Sequence, residues 1–404
     1  MEINKCRVCN SSNLETVIDL GPQALSGKFQ EDGLSVKKEN ISLYMCSSCG
    51  LTQTKEIYDL DDLYNSGYGY ESSLNQTMID HLKNKAEYFK KFLNIQHKDI
   101  ILDIGSNDAT SLSFFNECNT KIGVDKVGEK FLQNYINIKA ELIADFFPST
   151  HLDNFLGSRK AKLISSYSCF YDLPDPVNFA KSIYSVLDNE GIWCLEQSYL
   201  PSMLETNSFD TICHEHLEYY RLTDIKNICD QSNLRIISVD FNDINGGSFS
   251  VNVAHKDSSY ETNIRVHEIL EQETKKDWKL EFQDFNLRVN AIREDLLSFL
   301  SEQKQNGKSV LGLGASTKGN TLLQYFNIDS TYVKFIGEVN KNKFNCRTPG
   351  TNIKIISEDE LLKLNPDYLI IFTWHFKDFF VQNKKFNDFN LVFPLPNFQV
   401  IERS

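Results

Sequence analysis

The stretch Ile100-Ile101-Leu102-Asp103-Ile104-Gly105-Ser106-Asn107-Asp108-Ala109-Thr110 decides the fold of this 404-residue chain. Its apolar first half is typical of a buried strand, and the Asp-x-Gly sequence that follows predicts a tight turn into a helix. Strand, glycine turn and helix in this order form the first βα unit of an open α/β sheet, and small residues in the turn let a ligand approach the backbone. The turn lacks the three glycines of a dinucleotide fingerprint, which argues against a nicotinamide cofactor.

Four later segments repeat this unit along the chain. Residues 121–125 form a second apolar strand ending in Asp125, where a carboxylate is placed to accept two ribose hydroxyls. A third unit ends at Asp145 and Phe146, and residues 161–168 and 191–196 predict the fourth and fifth strands. The series predicts an α/β core built on an open, doubly wound sheet. The alternative is a generic α/β domain in which the glycines only shape turns.

Two Cys-x-x-Cys knuckles lie near the start of the chain, at Cys6 and Cys9 and at Cys46 and Cys49. Two thiolates at this spacing chelate one ion from a tight turn, and two such turns complete a tetrahedral four-cysteine zinc site. Because four cysteines leave no open coordination position, the zinc is predicted to be structural and to organise a module of about 60 residues. Coincidence and two separate redox dithiols are the alternatives.

The C-terminal part predicts a second α/β unit. Residues 262–305 have the apolar spacing of a long charged helix or a helix pair, and residues 309–321 then run as strand, glycine turn and helix start. Apolar runs at 335–338 and 367–372 suit buried parallel strands, so this part is predicted to be a second Rossmann-like domain. Four residues of its turn either contact a phosphate-bearing substrate or only shape the turn: Gly314, Ser316, Lys318 and Asn320.

The eleven residues from Asp210 to Tyr220 hold two histidines, three carboxylates, a thiol and two phenols among them. Such groups match general acid/base chemistry, because a histidine with an ordinary pKa of about 6.5 can act as a neutral base at cell pH. A second metal held by Cys213, His214 and His216 is an alternative, since His-x-His also suits metal binding. The other alternative is a loop whose polar residues satisfy one another.

The composition excludes several classes of protein. A net charge of −13 and a pI near 5.2 argue against general nucleic-acid binding and against binding to an anionic membrane surface. No run of eighteen apolar residues is present and the first residues do not resemble a signal peptide, so we expect a cytoplasmic protein with no membrane partner. The ten cysteines are then thiols and metal ligands and not disulfides. A monomer is expected, because two Rossmann-like lobes can enclose a site without a partner chain.

The α/β units of residues 100–168 resemble the class I S-adenosylmethionine-dependent methyltransferase fold. In that fold the glycine turn lies under the methionine part of the cofactor, the second-strand acid holds the ribose and the third-unit acid meets adenine. The resemblance implies S-adenosylmethionine as the cofactor. It also implies a set of cofactor-binding residues in these turns: Asp103, Gly105, Ser106, Asp125, Lys126, Asp145, Phe146 and Ser168.

A four-cysteine module, a methyltransferase core and a Gly-Ala-Ser-x-Lys-Gly-Asn-Thr domain, in that order, resemble the sugar C-methyltransferases over nearly the whole chain. In that family a Tyr-x-Glu-His element carries the chemistry, with the histidine as base and the tyrosine and glutamate holding the sugar. Here Glu215 and His216 match, while Cys213 stands in place of the tyrosine. A tyrosine of the linker after the zinc module also reaches the family's sugar, and Tyr70 is in register with it.

The resemblance thus implies two further sets of site residues. The catalytic set is His216, Glu215, Tyr70 and His214. The substrate-binding set is Tyr68, Tyr70, Cys213, Tyr220, Lys318 and Asn320. In this mechanism Tyr70 or Tyr220 donates a hydrogen bond to an enolate oxygen. Besides Cys213, three further sites depart from the family: Ser168 and Asp172 replace an Asn and a His, and Trp374-His375-Phe376 replaces Trp-Asn-Phe.

Three domains are predicted: a zinc-binding module at 1–65, a methyltransferase core at 66–240, and a C-terminal Rossmann-like domain with a helical lead-in at 241–404. The predicted function is S-adenosylmethionine-dependent methylation of a nucleotide-linked deoxy or keto sugar at carbon, with His216 as general base and an enolate intermediate. One alternative is O-methylation on the same scaffold, which needs no ketone. The other is a binding protein that keeps the fold and the zinc but has lost turnover.

Overall fold

The computed structural model describes residues 2–31, 37–59, 63 and 71–403, and its strands form three sheets. Two predicted site residues, Tyr68 and Tyr70, lie outside the described residues. The strands are β1 Leu14–Ala24, β2 Lys38–Cys46, β3 Thr52–Thr54, β4 Ile100–Ile104, β5 Thr120–Val124, β6 Glu141–Ile143, β7 Ala161–Tyr167, β8 Leu187–Ser198, β9 Glu218–Tyr219, β10 Leu234–Asn242, β11 Ser248–His255, β12 Val310–Leu313, β13 Phe335–Glu338, β14 Lys354–Ser357, β15 Tyr368–Ile371, β16 Asn390–Phe393 and β17 Gln399–Ile401. The α-helices are α1 Gln76–Phe92, α2 Leu132–Ile138, α3 Thr150–Leu156, α4 Pro176–Val186, α5 Leu200–Glu205, α6 Leu222–Asp230, α7 Ile264–Thr274, α8 Trp278–Gln305, α9 Thr317–Phe326, α10 Glu358–Lys363 and α11 Lys377–Gln382.

A seven-stranded sheet forms the middle of the molecule, in the order β10-β11-β8-β7-β4-β5-β6. β4 pairs in parallel with both β5 and β7, and the strand order reverses there, which makes it the topological switch point at which α/β proteins bind ligands. β4 is buried at every position, because apolar side chains pack against both faces of the sheet. The predicted doubly wound core is confirmed.

The antiparallel hairpin of β10 and β11 completes this sheet. β11 pairs with β8 from Ser248 to Val253 and with β10 along its whole length. The boundary predicted between residues 240 and 241 stays a prediction, and it falls inside β10, which forms one hairpin with β11. We propose the end of β11, at His255, as an alternative start of the C-terminal unit.

The N-terminal module contains a four-stranded antiparallel sheet in the order β1-β2-β3-β9. The long β1–β2 hairpin fills the spacer between the two cysteine knuckles, and β3 follows the second knuckle. The fourth strand, β9, belongs to the histidine-rich stretch of the core and pairs with β3 through Thr52 and Gln53. Backbone hydrogen bonds therefore join the N-terminal module to the segment that follows His216.

The third sheet lies in the C-terminal part, in the order β14-β13-β12-β15-β16-β17. Its first five strands are parallel and the order reverses at β12, so the predicted second Rossmann-like domain is confirmed. The helical region predicted before it is the helix pair α7 and α8, and α8 packs Phe282, Phe285 and Leu296 against the core of this domain. In the part of the chain that the structure describes, no helix is long and apolar enough to cross a membrane.

A buried carboxylate connects the helix pair to the methyltransferase core. Glu273, in the last turn of α7, accepts hydrogen bonds from the Tyr199 hydroxyl at 2.6 Å and from the backbone N–H groups of Leu222 and Thr223, both at 2.8 Å. Those two N–H groups belong to the first turn of α6, where a helix has no partners of its own and favours negative charge. Glu273 therefore caps α6 from a different helix.

Replacing this carboxylate is expected to destabilise the protein. Glu273→Ala removes one acceptor from four donors, the fourth being the Thr223 hydroxyl, so we expect a loss of about 2–4 kcal/mol in the free energy of unfolding, measured by urea denaturation. The matched control is Glu271→Ala on the same helix, where a 68% exposed side chain pairs with Lys275 and its loss should have little effect on stability. Equal losses in the two variants would contradict the capping role.

Candidate active site

The four cysteine thiols of the N-terminal module meet at one point. Their Sγ atoms all lie within 4.8 Å of one another, with Cys6 3.6 Å from Cys49 and Cys9 3.5 Å from Cys46. Four sulfurs bound to one zinc ion at about 2.3 Å lie about 3.8 Å apart in a tetrahedron, so this donor set fits the ion. Gly50 follows the second knuckle with a φ of +81°, a conformation that favours glycine. The predicted metal ligands form one cluster.

The switch point of the central sheet has the features of a cofactor site. Asp103, within β4, accepts a hydrogen bond from the Ser165 hydroxyl at 2.6 Å, and its burial raises its pKa to about 7. Gly105 follows with a φ of +70°, and a Cβ there would lie 2.8 Å from the Cβ of Cys169. A larger residue would be strained in this turn, so glycine allows the close approach of Cys169 to the end of β4.

Asp125 lies at the end of the neighbouring strand, β5. Its carboxylate accepts hydrogen bonds from the backbone N–H groups of Asn107 and Val127, both at 2.8 Å, and burial raises its pKa. The N–H of Gly128 also acts on this carboxylate, and because an ionised carboxylate has about four acceptor positions, acceptor capacity remains for a further donor. Asp125 is therefore placed at the switch point with capacity to accept from a ligand hydroxyl.

The remaining residues predicted to bind the cofactor at this edge make different contacts within the protein. Asp145 accepts a hydrogen bond from the N–H of Phe146 at 2.8 Å, and the Lys126 ammonium lies 5.4 Å from the centre of the Phe146 ring. The Ser106 hydroxyl instead bonds the phenol of Tyr135 at 2.7 Å beneath the turn. Ser106 can therefore contact a ligand through its backbone but not through its hydroxyl.

Ser168 and Cys169 connect the cofactor edge to the histidine cluster. The Cys169 thiol donates to the carbonyl of Ile104 at 3.2 Å, beside the glycine turn. Ser168, at a φ of +53°, accepts a hydrogen bond from the side-chain amide of Asn245 at 3.3 Å, and the carbonyl of Asn245 accepts one from Lys318. One continuous set of contacts thus runs from the predicted methyl-donor site to the C-terminal domain.

His216 is held in one orientation and one tautomer. Its Nδ1 lies 2.8 Å from the carbonyl oxygen of Thr211, and because a carbonyl only accepts, Nδ1 carries the proton and Nε2 has the free lone pair. The Tyr171 ring packs 4.2 Å from the imidazole, centre to centre. Burial, together with the Lys318 ammonium, lowers the pKa of His216 to about 4, so the neutral form prevails at pH 7.

Glu215 faces the N-terminal module. A Cβ at Gly27 would lie 3.0 Å from its Oε1 atom, and the Lys28 ammonium and the Cys213 thiol also act on the carboxyl group. Burial raises the pKa of Glu215. Its Oε2 atom is buried and has no hydrogen-bond partner among the residues that the structure describes. A buried acceptor of this kind fits a ligand hydroxyl, because unpartnered polar atoms are costly in a folded protein.

Asn320 approaches the same place from the C-terminal domain. Its Nδ2 atom donates to the carbonyl of Ser26 at 2.7 Å, one residue before Gly27. Its Oδ1 atom and the Ser26 hydroxyl are both buried and bond to nothing within the described ranges. The predicted substrate residue Asn320 therefore lies next to the Glu215 environment, although 105 positions separate the two in sequence.

Lys318 and His375 complete the cluster. The Lys318 ammonium lies close enough to His216, His375 and Asp210 to influence their pKa values, and burial lowers its own. The Trp374 indole N–H donates to Asp210 at 2.8 Å, which fixes the neighbouring His375. The Nδ1 atom of His375 is buried without a partner in residues 2–31, 37–59, 63 and 71–403, and burial followed by the Lys318 charge lowers its pKa to about 3.

Two predicted site residues point elsewhere. His214 is fully buried against the N-terminal module, where Nε2 lies 3.4 Å from the carbonyl of Glu39 and the ring meets the edge of Tyr58 at 4.8 Å. Tyr220 is also fully buried, stacks on Phe170 and is influenced by Glu218. The backbone bends at His214 and Glu215 and is a strand only at Glu218 and Tyr219, so the regular alternation of an extended segment does not apply, and these two side chains are not brought to the His216 cluster.

Two residues outside the predicted sets, Asn245 and His81, also contact this region. Asn245 bonds both Ser168 and Lys318. His81 lies on α1 with its Nε2 2.5 Å from the buried carboxylate of Glu196, near the end of β8. The Gly-Gly after Asn245 was a signal of a special backbone position, whereas the 115 residues between His81 and Glu196 gave no local signal.

Comparison with known proteins supports a methyltransferase activity. Three family models match the chain in succession: a zinc binding domain over residues 6–64, a methyltransferase domain over 70–239 and a C-methyltransferase C-terminal domain over 243–396. The chain is 25% identical over 413 residues to the C-methyltransferase NovU of Streptomyces niveus, covering 99% of this chain and 97% of NovU. The chain is an S-adenosylmethionine-dependent C-methyltransferase.

Solved structures similar to this C-methyltransferase include an S-adenosylmethionine-dependent methyltransferase from Clostridium acetobutylicum, at 13% identity and a TM-score of 0.36, covering 44% of this chain and 92% of that one. The plantazolicin methyltransferase BpumL, solved with S-adenosylhomocysteine, is 13% identical with a TM-score of 0.33, covering 43% of this chain and 83% of that one. For this C-methyltransferase, S-adenosylmethionine is the cofactor and the four-cysteine module is the zinc-binding domain.

The glycine turn at the end of β4 gives a direct test of the cofactor site. Gly105→Ala adds a Cβ 2.8 Å from that of Cys169 at a φ of +70°, so the turn must shift. We expect the affinity for S-adenosylhomocysteine, measured by calorimetry, to fall at least roughly tenfold. Gly157→Ala is the matched control, since Gly157 also has a positive φ, of +59°, but no atom lies within 4 Å of its added Cβ. Unchanged affinity in Gly105→Ala would place the cofactor elsewhere.

Proposed function

We propose that this C-methyltransferase methylates a carbon next to the ketone of a nucleotide-linked keto sugar, with His216 as the general base. The observation that carries the proposal is the fixed tautomer of His216. Its Nδ1 proton is donated to the carbonyl of Thr211, which leaves the Nε2 lone pair to take a proton from substrate. A carbon acid needs such a base, since only the deprotonated carbon is nucleophilic.

Proton transfer to His216 produces an enolate whose negative charge must be stabilised. Lys318 is the cation in position to do this, because its ammonium lies near both His216 and His375. The imidazole of His375 can donate a second hydrogen bond to the same oxygen. Tyr220 is fully buried and stacks on Phe170, so it is not available to donate to this oxygen. The same role for Tyr70 stays a prediction, because Tyr70 lies outside the described residues. When bound, S-adenosylmethionine supplies an electrophilic sulfonium methyl group for the enolate carbon.

The sugar is held between the three parts of the chain. The free Oε2 of Glu215 and the free Oδ1 of Asn320 are acceptors that suit sugar hydroxyls, and the Ser26 hydroxyl lies beside them. The nucleotide diphosphate fits the C-terminal glycine turn, where the N-terminus of α9 favours anions and Ser316 caps the helix by accepting from the N–H of Gly319 at 3.0 Å.

Deuterium exchange tests the proposed base. Thymidine- and guanosine-diphosphate-linked keto-deoxyhexoses are incubated with the enzyme in deuterated water, with S-adenosylhomocysteine and without methyl donor. We expect the proton next to the ketone to exchange in the wild type and the rate to fall at least roughly a hundredfold in His216→Asn, because general-base catalysis contributes about 10²–10⁴-fold. NMR or mass spectrometry measures the exchange.

His214→Asn is the matched control for this experiment. It removes an imidazole only two residues away that faces the N-terminal module, so exchange should continue at close to the wild-type rate. Methyl transfer without exchange would support the alternative of O-methylation. Binding of S-adenosylhomocysteine with neither exchange nor methyl transfer for any of these sugars would contradict the proposed substrate class.

The lowered pKa of His216 predicts an unusual pH profile. Its neutral form is the base, and a pKa of about 4 keeps it neutral as the pH falls through 6.5. We therefore expect kcat/KM to hold down to about pH 5 and to fall near pH 4, since kcat/KM reports the pKa of the free enzyme. Lys318→Met removes a nearby positive charge, so it should move the acid limb to higher pH. An acid limb at pH 6.5 or above in the wild type would contradict the assignment.

A further inference from the structure

Arg7 lies inside the first zinc knuckle, between Cys6 and Cys9, and its side chain is 5% exposed. Its Nη1 atom donates to the carbonyl of Thr54 at 2.9 Å, and its Nη2 atom donates to the hydroxyl of Thr54 and the carbonyl of Glu56, both at 3.2 Å. These acceptors belong to β3 and the residues after it. A guanidinium group can hold several acceptors at once because its five N–H donors form a rigid planar fork.

The same guanidinium group reaches the segment that follows His216. Its Nη1 atom also donates to the carbonyl of Leu217 at 3.3 Å, and its Nε atom lies 3.6 Å from Oε1 of Glu218, which has no exposed side-chain surface. The carbonyl of Leu217 accepts a second hydrogen bond, from the N–H of Thr54 at 2.8 Å. Arg7 therefore contacts the residue after the proposed base, across 210 positions of sequence.

Leu217 is also held from the other side. Its N–H donates to the carbonyl of Tyr171 at 2.7 Å, and the Tyr171 ring packs 4.2 Å from the imidazole of His216. The backbone on which His216 stands is thus fixed between the knuckle and the core. A shift in the Leu217 carbonyl would move the imidazole relative to the Tyr171 ring and the Lys318 ammonium.

We propose that Arg7 is a positioning residue for methyl transfer: from the first zinc knuckle, its guanidinium group holds the Leu217–Glu218 backbone and so aligns His216 with the substrate carbon. This inference rests on the proposed role of His216 as base. It adds that the N-terminal module orders the active site through the contact between Arg7 and Leu217. This is in addition to residues 26–28, which the module also contributes to the site. Cys6 and Cys9, which would hold zinc, lie on either side of Arg7 in the sequence and fix the position of its backbone.

The second knuckle offers a matched comparison. Arg221 donates to the carbonyl of Cys49 at 3.1 Å and pairs with Asp224 at 2.7 Å, and its side chain is 6% exposed. It is therefore a second buried arginine between a zinc knuckle and the core. Its hydrogen bonds go to Cys49 and to Asp224 on α6, and none of those that the structure describes goes to residues 213–218. Loss of the planar guanidinium group of Arg221 should loosen the N-terminal module without displacing His216.

The test compares Arg7→Lys with Arg221→Lys in the full-length, zinc-loaded protein. Lysine keeps the charge but cannot hold several carbonyls in one plane. We expect both variants to retain one zinc ion per chain by metal analysis and wild-type affinity for S-adenosylhomocysteine. In Arg7→Lys alone, kcat should fall roughly tenfold to a hundredfold with little change in KM, because a misplacement of about 1 Å can cost that much.

NMR of the histidine rings supplies a readout that needs no substrate. If Arg7 aligns the loop, Arg7→Lys should expose His216 to water and move its pKa from about 4 towards its ordinary value of about 6.5. Arg221→Lys should leave it in place. An unchanged His216 titration and unchanged kcat in Arg7→Lys would overturn the inference, and so would equal effects in the two variants.

A second variant tests the inference in case Arg7→Lys loses its zinc ion. Glu218→Leu leaves the knuckle intact and removes the Arg7 partner on β9, so we expect the same upward shift of the His216 pKa with zinc retained. A normal His216 titration in Glu218→Leu would then overturn the inference. The two proposals fail differently: exchange that survives His216→Asn refutes His216 as base, whereas exchange lost in His216→Asn but kept in Arg7→Lys refutes the role of Arg7.

Discussion

The pairing of β3 with β9 is the contact on which the active site depends. It is short, two residues on each strand, yet it joins a sheet built from the cysteine module to the segment directly after His216. The buried Arg7 supports it, and a buried guanidinium group is stable only when its donors are satisfied. The position of the proposed base is thus set by packing between two parts of the chain that are far apart in sequence.

The charged and titratable groups near His216 determine which kind of ligand the site favours. Lys318, His216 and His375 come from two different domains, and the Lys318 ammonium disfavours protonation of both imidazoles in a partly dry environment. Although the buried carboxyl group of Asp210 also lies near this ammonium, the site favours a ligand that develops negative charge. An enolate meets this requirement at the transition state, where stabilisation accelerates the reaction, and a diphosphate meets it in the bound substrate.

The features that the sequence could predict are those carried by local spacing. The knuckles at Cys6 and Cys46, the turn at Gly105 and the acid at Asp125 each follow from a few neighbouring residues, and their positions in the structure agree with their motifs. His214 and Tyr220 were predicted as members of the same short cluster but face other partners, because the backbone bends at His214 and Glu215 and neighbouring positions in sequence do not share one site. The role of Arg7 could not be predicted from local spacing, since the Leu217 carbonyl group that it contacts lies 210 residues later in the sequence.

Cys213 is the departure from the family that the structure explains best. Its thiol is buried, its pKa is raised well above the ordinary value by that burial, and it acts on the carboxyl group of Glu215. A thiol held in this way stays protonated at pH 7 and is a weaker hydrogen-bond donor than the sugar-holding tyrosine that the resemblance implies at this position. Sugar binding here therefore depends more on neighbouring groups such as the buried Oε2 atom of Glu215, whereas donation to the enolate oxygen belongs, in our proposal, to Lys318 and His375 of the C-terminal domain.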